Sequence, residues 1–132
     1  MSDTEEPSKA KQPKVKTIFI VEDDTDIGAF LVEALQQETS YQALLACDGF
    51  QALKMVRSLK PDLFVLDYHL PGMNGLELYD HLHATEGFEE IPVFFMSANM
   101  PLKELERRHL DFLHKPIDLD DLLRKIEKFL SE

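Results

Sequence analysis

The chain has 132 residues, of which 44% are hydrophobic and 30% charged, and its formal net charge is −11. This length and composition are typical of one soluble globular domain with a hydrophobic core, and the chain is too short for two ordinary domains. So acidic a domain repels nucleic-acid phosphates and anionic lipids, and we therefore expect neither direct nucleic-acid binding nor membrane binding. Its carboxylates are suited instead to a divalent cation.

Cys47 is the only cysteine, which excludes an internal disulfide and a cysteine-rich metal site. We expect it to be a small, mostly packed residue. No apolar run approaches the length of about 18 residues that a transmembrane helix needs, and the start of the chain lacks the apolar core of a signal peptide. The sequence therefore predicts a cytoplasmic protein.

Residues 1–16 are polar, interrupted by proline and without periodicity, which predicts a flexible N-terminal tail before a domain of residues 17–132. From there on, stretches with helical spacing alternate with five short apolar runs: Ile18–Val21, Ala43–Ala46, Leu63–Leu66, Ile91–Met96 and Leu110–Leu113. Continuous apolar runs are typical of strands covered on both faces. Five such strands interleaved with helices predict an α/β fold, a (βα)5 doubly wound parallel sheet.

The stretches between the runs carry apolar stripes at helical spacing. These stripes are Ile27, Leu31, Ala34 and Leu35; Ala52, Met55, Val56 and Leu59; Leu76, Tyr79 and Leu82; and Leu119, Leu122, Leu123, Ile126, Phe129 and Leu130. Asp118 directly precedes the last helix, and we predict that it caps the N-terminus. Asp24 precedes the first helix, where capping is the favoured role and direct metal binding is the alternative.

Polar side chains follow four of the five predicted strands. Glu22 and Asp23 follow the first, Asp67 ends the third, Ser97 ends the fourth and Lys115 follows the fifth. The carboxyl ends of parallel strands meet at one edge of the sheet, where ligands bind. Two carboxylates 4 Å apart repel by about 4 kcal/mol at an effective dielectric constant near 20, so protonation, a lysine or a hard cation must offset the repulsion.

Oxygen ligands without a histidine–cysteine cluster favour Mg²⁺, which also accepts phosphate oxygens. An aspartate beside Mg²⁺ is suited to attack phosphorus, and a nearby hydroxyl and ammonium are suited to bind the arriving phosphoryl oxygens. The pattern therefore points to phosphoryl transfer at Asp67, with Ser97 and Lys115 as phosphoryl ligands.

These motifs resemble the receiver domains of two-component response regulators, and the resemblance covers residues 17–130. It rests on Glu22-Asp23 after the first strand, Asp67 followed by LPGMNG, Ser97-Ala98, and Lys115-Pro116. The resemblance implies a flavodoxin-like strand order 2-1-3-4-5. It also implies that a sensor histidine kinase, or a histidine phosphotransfer protein, donates a phosphoryl group to this domain in a Mg²⁺-dependent reaction. Phosphorylation would then switch the surface that binds a downstream protein.

The resemblance assigns the metal site and the phosphoacceptor. Asp67 is the phosphoacceptor and also a metal ligand. Asp23 is the main metal carboxylate, Glu22 acts largely through water, and the backbone carbonyl of His69 completes the protein's share of the ligands. Mg²⁺ is the expected ion and Mn²⁺ the alternative.

The resemblance also assigns the switch. Ser97 and Lys115 bind the phosphoryl group, and Ser97 acts together with Phe112 in signalling the change. The alternative for Phe112 is that of an ordinary core aromatic. The Lys115–Pro116 peptide bond is expected to be cis, which costs little before proline.

One region departs from the family's pattern. The segment between Ser97 and Lys115 is several residues shorter than usual, and Arg108-His109 replaces the Gly-Ala pair common before strand five. We therefore expect helix four, roughly 101–108, to be short, displaced or partly disordered. A short or displaced helix disfavours dimerisation through that face.

Two other functions are alternatives to that of a phosphorylated receiver. The DDTD sequence after the first strand also fits an aspartate-nucleophile phosphatase of the haloacid-dehalogenase type, which usually needs a longer chain with a cap domain. A degenerate receiver that acts as a phosphorylation-independent adaptor is disfavoured by the complete acid set. We expect a stand-alone receiver, or one excised from a larger protein, that is no enzyme beyond catalysing its own phosphorylation and dephosphorylation.

Overall fold

Strands and helices alternate along the whole described chain. The structure, a computed structural model, describes residues 15–131. Its elements are β1 (Thr17–Val21), α1 (Thr25–Glu38), β2 (Gln42–Ala46), α2 (Gly49–Met55), β3 (Leu63–Asp67), α3 (Gly75–His83), β4 (Val93–Ser97), α4 (Leu102–Arg107), β5 (Asp111–His114) and α5 (Leu119–Leu130). The tail predicted for residues 1–16 lies outside the described residues, apart from its last two.

The five strands form one parallel sheet in the order β2-β1-β3-β4-β5. This confirms the predicted (βα)5 architecture and its flavodoxin-like strand order. The central strands β3 and β4 are buried along their whole length, which is why their sequences are apolar without alternation. Among residues 15–131, none of the helices has the length and apolar character that a bilayer crossing requires.

Each face of the sheet has its own core. Strand residues that point to one face pack under α2, α3 and α4, and they include Phe19, Val21, Phe64, Leu66 and Phe95. Their neighbours on the other face pack under α1 and α5, and they include Ile18, Ile20, Val65, Phe94 and Met96. The side chains of successive strand residues point to opposite faces, so each run supplies both cores. The sheet is thereby held from both sides, and its carboxyl edge is left for polar groups.

Both predicted helix caps are present. The carboxylate of Asp24 accepts hydrogen bonds from the backbone N–H groups of Asp26 and Ile27, at 3.0 and 3.1 Å. The carboxylate of Asp118 accepts one from the N–H of Asp121, at 3.0 Å. Each cap satisfies N–H groups that a helix leaves without intrahelical partners.

Two expectations about helix faces need correction. The apolar spacing placed Val56 and Leu59 on the second helix, but α2 ends at Met55, and both residues pack against the core from the turn that follows. In α3 the fully buried positions include Leu78, which the sequence stripe omitted, whereas Tyr79 is only partly buried. The spacing thus identified packing residues better than it identified helix ends.

The expectation that Cys47 is mostly packed is wrong, because its side chain is exposed. Cys47 follows the last paired residue of β2, and β2 lies at the edge of the sheet. Its backbone N–H donates to the side-chain oxygen of Gln51, at 2.6 Å. Within residues 15–131, no further strand lies beyond β2 to cover it.

Helix α4 has six residues, which confirms that it is short. The helix ends at Arg107, and Arg108 is its C-cap. His109, the next residue, adopts a left-handed backbone with φ of 59°. The N–H of His109 donates to the carbonyl of Glu106, and the N–H of Leu110 donates to the carbonyl of Leu105, at 3.0 and 2.9 Å. This is a Schellman ending, with histidine at the position where glycine is usual.

Candidate functional site

Strand pairing brings the acids together. Val21 lies opposite Leu66 in the register of β1 and β3, so the residues that follow them, Glu22 and Asp67, are neighbours at the carboxyl edge of the sheet. Glu22 and Asp67 are 0% and 3% exposed to solvent, whereas Asp23 is exposed. Two of the three acids are therefore fixed by buried backbone, and the third faces solvent.

The three acids form one cluster, and a lysine bridges its two buried members. One carboxylate oxygen from each of Glu22, Asp23 and Asp67 lies within 4.8 Å of the others. Nζ of Lys115 lies 2.7 Å from Oε1 of Glu22 and 3.0 Å from Oδ2 of Asp67. The Lys115–Pro116 peptide bond is cis, as expected. The ammonium of Lys115 therefore offsets part of the repulsion between the two buried acids.

Burial controls the protonation of this cluster. Burial raises the pKa of Glu22 to about 7, and the charge of Asp67 adds to the rise, although hydrogen bonds from Lys115 and from the Asp24 N–H work against it. Burial by itself would lower the pKa of Lys115, but its bonds to Glu22 and Asp67 outweigh that and raise the pKa. The ammonium is therefore charged at neutral pH, while Glu22 exchanges its proton in that range.

The donor set fits a hard divalent cation. The ammonium of Lys115 contacts two of the three carboxylates, and the cluster offers the oxygen ligands that a hard divalent cation prefers. Asp23 is exposed, so its carboxylate would be open to an ion that keeps bound waters. The predicted role of the His69 carbonyl at the metal stays a prediction. The backbone N–H of His69 donates to Oδ1 of Asp67, at 3.2 Å.

The loop after β3 packs directly on the backbone of Asp67. A Cβ atom on Gly75 would lie 2.5 Å from the carbonyl oxygen of Asp67 and 2.9 Å from Cα of Tyr68. The N–H of Gly75 donates to the carbonyl of Tyr68, at 2.7 Å, and α3 begins there with a capping box between Asn74 and Glu77. Only glycine permits this close approach. The loop thus holds the backbone of Asp67 against the start of α3.

Ser97 and Phe112 lie on β4 and β5. Ser97 is 1% exposed; its Oγ accepts the N–H of Asn99 at 3.3 Å, and its carbonyl accepts the N–H of Lys115 at 3.0 Å. Phe112 is partly buried and contacts the ring of His114 edge to face, with centroids 5.2 Å apart. Their switch roles stay predictions.

One contact near the site was not foreseen. The sequence assigned the backbone carbonyl of His69 to the metal and left a role of its side chain in phosphate lifetime open. In the structure, its ring Nε2 lies 2.6 Å from the carbonyl oxygen of Asn99. The two residues are 30 positions apart in the chain, so no local pattern indicates the pairing.

Comparisons with known proteins agree with this geometry. A family model described as the response regulator receiver domain matches residues 18–127. The chain is 34% identical over 117 residues to sporulation initiation phosphotransferase F of Bacillus subtilis, and the match covers 86% of this chain and 92% of that protein. It is 32% identical over 127 residues to the sensor histidine kinase TmoS of Ectopseudomonas mendocina, covering 93% of this chain but only 12% of the kinase.

The fold is also that of a solved structure. The chemotaxis protein CheY4 of Vibrio cholerae superposes with a TM-score of 0.81 at 22% identity, and the superposition covers 89% of this chain and 100% of that one. At this identity the likeness concerns the fold alone. It agrees with the strand order of the parallel sheet.

Proposed function

Because this chain belongs to the response regulator receiver family of two-component signalling, we propose that Asp67 accepts a phosphoryl group from a phosphohistidine on a partner protein. The observation that carries the proposal is the buried carboxylate of Asp67, held at a strand tip within reach of two further acids and an ammonium. Such a group is held rigidly at the carboxyl edge of the sheet, where a carboxylate oxygen can act as a nucleophile toward phosphorus.

The transfer exchanges one bond for another. A carboxylate oxygen of Asp67 attacks phosphorus, and the bond from phosphorus to the donor's imidazole nitrogen breaks, with its electron pair returning to the ring. The product is an acyl phosphate on Asp67 and a free histidine on the donor. Hydrolysis of the acyl phosphate by water later restores the carboxylate. In this scheme the domain catalyses only its own phosphorylation and dephosphorylation.

The residues around Asp67 have distinct tasks. Lys115 already donates to Oδ2 of Asp67, so its ammonium can follow the negative charge onto the phosphoryl oxygens. The buried hydroxyl of Ser97 is the neutral donor at the tip of the neighbouring strand. Glu22, Asp23 and Asp67 would hold Mg²⁺ or Mn²⁺, which when bound neutralises charge on the transferring phosphoryl group.

An apolar cavity beside the site supports a protein donor. It has a volume of about 290 Å³, and its lining includes Phe30, Ile27 and Leu31 of α1 together with Pro116 and Lys115. Phe30 is 56% exposed, so its ring is available to an apolar group of a partner. We place an apolar side chain of the donor, a histidine kinase or a histidine phosphotransfer protein, in this cavity. The downstream target and the cytoplasmic location stay predictions.

The two alternative functions have less support. In the phosphatase hypothesis the DDTD acids would do the chemistry, but Asp24 caps α1 and Asp26 lies in its first turn. The buried acid that Lys115 contacts at the tip of β3 is Asp67 instead. The adaptor hypothesis requires no intact cluster, whereas all the predicted carboxylates and Lys115 converge here.

The test uses acetyl phosphate as a small donor with Mg²⁺, and intact mass as the readout. We expect the wild-type chain to gain one phosphoryl group and Asp67→Asn to gain none. Asp120→Asn removes an exposed aspartate of α5 and serves as the matched control, which should behave as the wild type does. An Asp67→Asn chain that gains phosphate at the wild-type rate would contradict the proposal. A wild-type chain that gains no phosphoryl group and also binds no Mg²⁺ would favour the adaptor.

A further inference from the structure

A histidine side chain joins the loops that follow β3 and β4. His69 lies two residues after Asp67, and Asn99 lies two residues after Ser97. Nε2 of His69 is 2.6 Å from the carbonyl oxygen of Asn99. A carbonyl oxygen only accepts hydrogen bonds, so Nε2 carries the proton and donates. The ring also contacts Tyr68 edge to face, with centroids 4.9 Å apart, which limits its rotation.

The β4–α4 loop, residues 98–101, has few other anchors. Helix α4 begins after Pro101 without a side-chain hydrogen bond at its N-terminus. Ala98 and Asn99 are exposed, and Met100 is the only buried residue of the loop. Within the described part of the chain, the bond from His69 is the one hydrogen bond that ties this loop to the segment after β3.

The same peptide segment reaches the Ser97 hydroxyl. The backbone N–H of Asn99 donates to Oγ of Ser97, at 3.3 Å, so Asn99 is held at its carbonyl by His69 and is bonded at its N–H to Ser97. Movement of Asn99 therefore changes the hydrogen bonding of the Ser97 hydroxyl. Groups that receive a transferred phosphoryl must be in place when it arrives, because displacement of a reacting or binding group by about 1 Å lowers rates steeply.

We propose that His69 is a positioning residue: its ring fixes the β4–α4 loop and thereby holds the Ser97 hydroxyl where the phosphoryl group on Asp67 arrives. The proposal rests on the proposed function for its effect on rate. Its first part, the restraint of the loop by His69, concerns the unphosphorylated protein and holds or fails by itself.

The main variant is His69→Leu, which keeps a similar volume and the backbone but removes the ring N–H. Without phosphate donor, NMR should show severalfold faster amide hydrogen exchange at Asn99, because the loop has lost its tie. With acetyl phosphate and Mg²⁺, phosphorylation of Asp67 should slow by about threefold to tenfold, the range that one net hydrogen bond supplies. Mg²⁺ affinity should stay within about twofold, because the variant keeps the backbone carbonyl at position 69 and leaves the carboxylates of the cluster unchanged.

Two further variants separate positioning from mere loop stability. His69→Gln offers an amide N–H at similar reach and should restore most of both the exchange protection and the rate. In a Ser97→Ala background, His69→Leu should cause no further loss of rate, because the residue through which it acts is gone.

The outcomes divide clearly. Unchanged exchange at Asn99 in His69→Leu would overturn the loop restraint, whatever phosphorylation does. Faster exchange with an unchanged phosphorylation rate, or a rate loss that persists in full when Ser97 is absent, would overturn the positioning role. If the wild-type chain gained no phosphoryl group at all, the proposed function would fail while the exchange measurement still tested the contact.

Discussion

The acid cluster and helix α4 are held in place by different means. Glu22 follows β1 and Asp67 ends β3, and both strands are paired on both sides and covered on both faces. Helix α4 has six residues and is tied to α3 by Arg108, whose guanidinium lies 2.7 Å from the carboxylate of Asp80 at the surface. An exposed ion pair contributes about 0–1 kcal/mol. The chemistry therefore lies on the strongly held part of the molecule, and the weakly held part is next to it.

Because the acid cluster lies in the strongly held region, removing the ammonium of Lys115 should have the largest effect on stability. Lys115→Met leaves two buried carboxylates without their ammonium, and we expect the free energy of unfolding to fall by about 3 kcal/mol at pH 8. Denaturant unfolding with and without Mg²⁺ measures this, and Mg²⁺ should restore part of the loss. Lys125→Met removes the ion pair between α5 and Asp111 of β5 and is the matched control. It should cost less than about 1 kcal/mol, because Lys128 stays 3.4 Å from the same carboxylate. Equal losses in the two variants would contradict the comparison.

The protonation of Glu22 sharpens the same contrast. Its folded pKa of about 7 lies above its usual value of 4.5, so the folded state binds the proton more tightly than the unfolded state. This group's contribution to stability is therefore greatest at low pH and is lost as the pH rises from 4.5 through 7, by about 3 kcal/mol in total. Glu22→Gln should flatten that part of the pH profile of unfolding. Mg²⁺ competes with the proton, so its affinity for the wild type should fall below pH 7.

Identical profiles for the wild type and Glu22→Gln would show that the folded pKa of Glu22 is near its usual value. The profiles are compared as a difference, because other carboxyl groups titrate in the same range and contribute equally to both proteins.

We expect that position 75, where α3 begins against the backbone of Asp67, accepts only glycine. Gly75→Ala places Cβ against the backbone of Asp67, which cannot turn aside, and we expect about 2 kcal/mol of destabilisation together with slower phosphorylation. Gly28→Ala is the matched control, because its Cβ meets only the side-chain tips of Leu45 and gains helix propensity. Thermal or denaturant unfolding ranks the two. A larger loss in Gly28→Ala would mean that the loop of Gly75 yields more easily than its contacts indicate.

The smallest effect belongs to the weakly held region. His109 adopts left-handed backbone geometry that suits glycine, so His109→Gly should stabilise the chain by about 0.5–1 kcal/mol. His109→Ala keeps the strain and should not stabilise it, and denaturant midpoints measured side by side distinguish the two. Neither substitution should change the rate of phosphorylation of Asp67. A rate change would show that the end of α4 is coupled to the site after all.

Sequence alone predicted the strongly held region well. Each strand is a short local pattern, an apolar run followed by a polar residue, and parallel pairing leaves few arrangements of such runs. The convergence of Glu22, Asp67 and Lys115 follows from that topology, since all three lie at the same ends of their strands. Asp24 could be predicted as a cap because it stands directly before a helix.

The weakly held region could be predicted only in outline. The missing Gly-Ala pair located the departure before β5, but a histidine in left-handed geometry carries no local signal. The bonds from His69 to Asn99 and from Arg108 to Asp80 join residues about thirty positions apart, and they depend on how loops meet after folding. The exposure of Cys47 likewise depends on which strand lies at the edge of the sheet.

That exposed cysteine makes the molecule convenient to observe. Cys47 is the sole thiol, and it follows β2, the one strand that brings no acid, hydroxyl or ammonium to the site. A maleimide dye or a spin label would therefore attach at a single position on the rim without engineering. It would register ion binding and donor encounter from a neighbouring strand while leaving every reacting group in its native form.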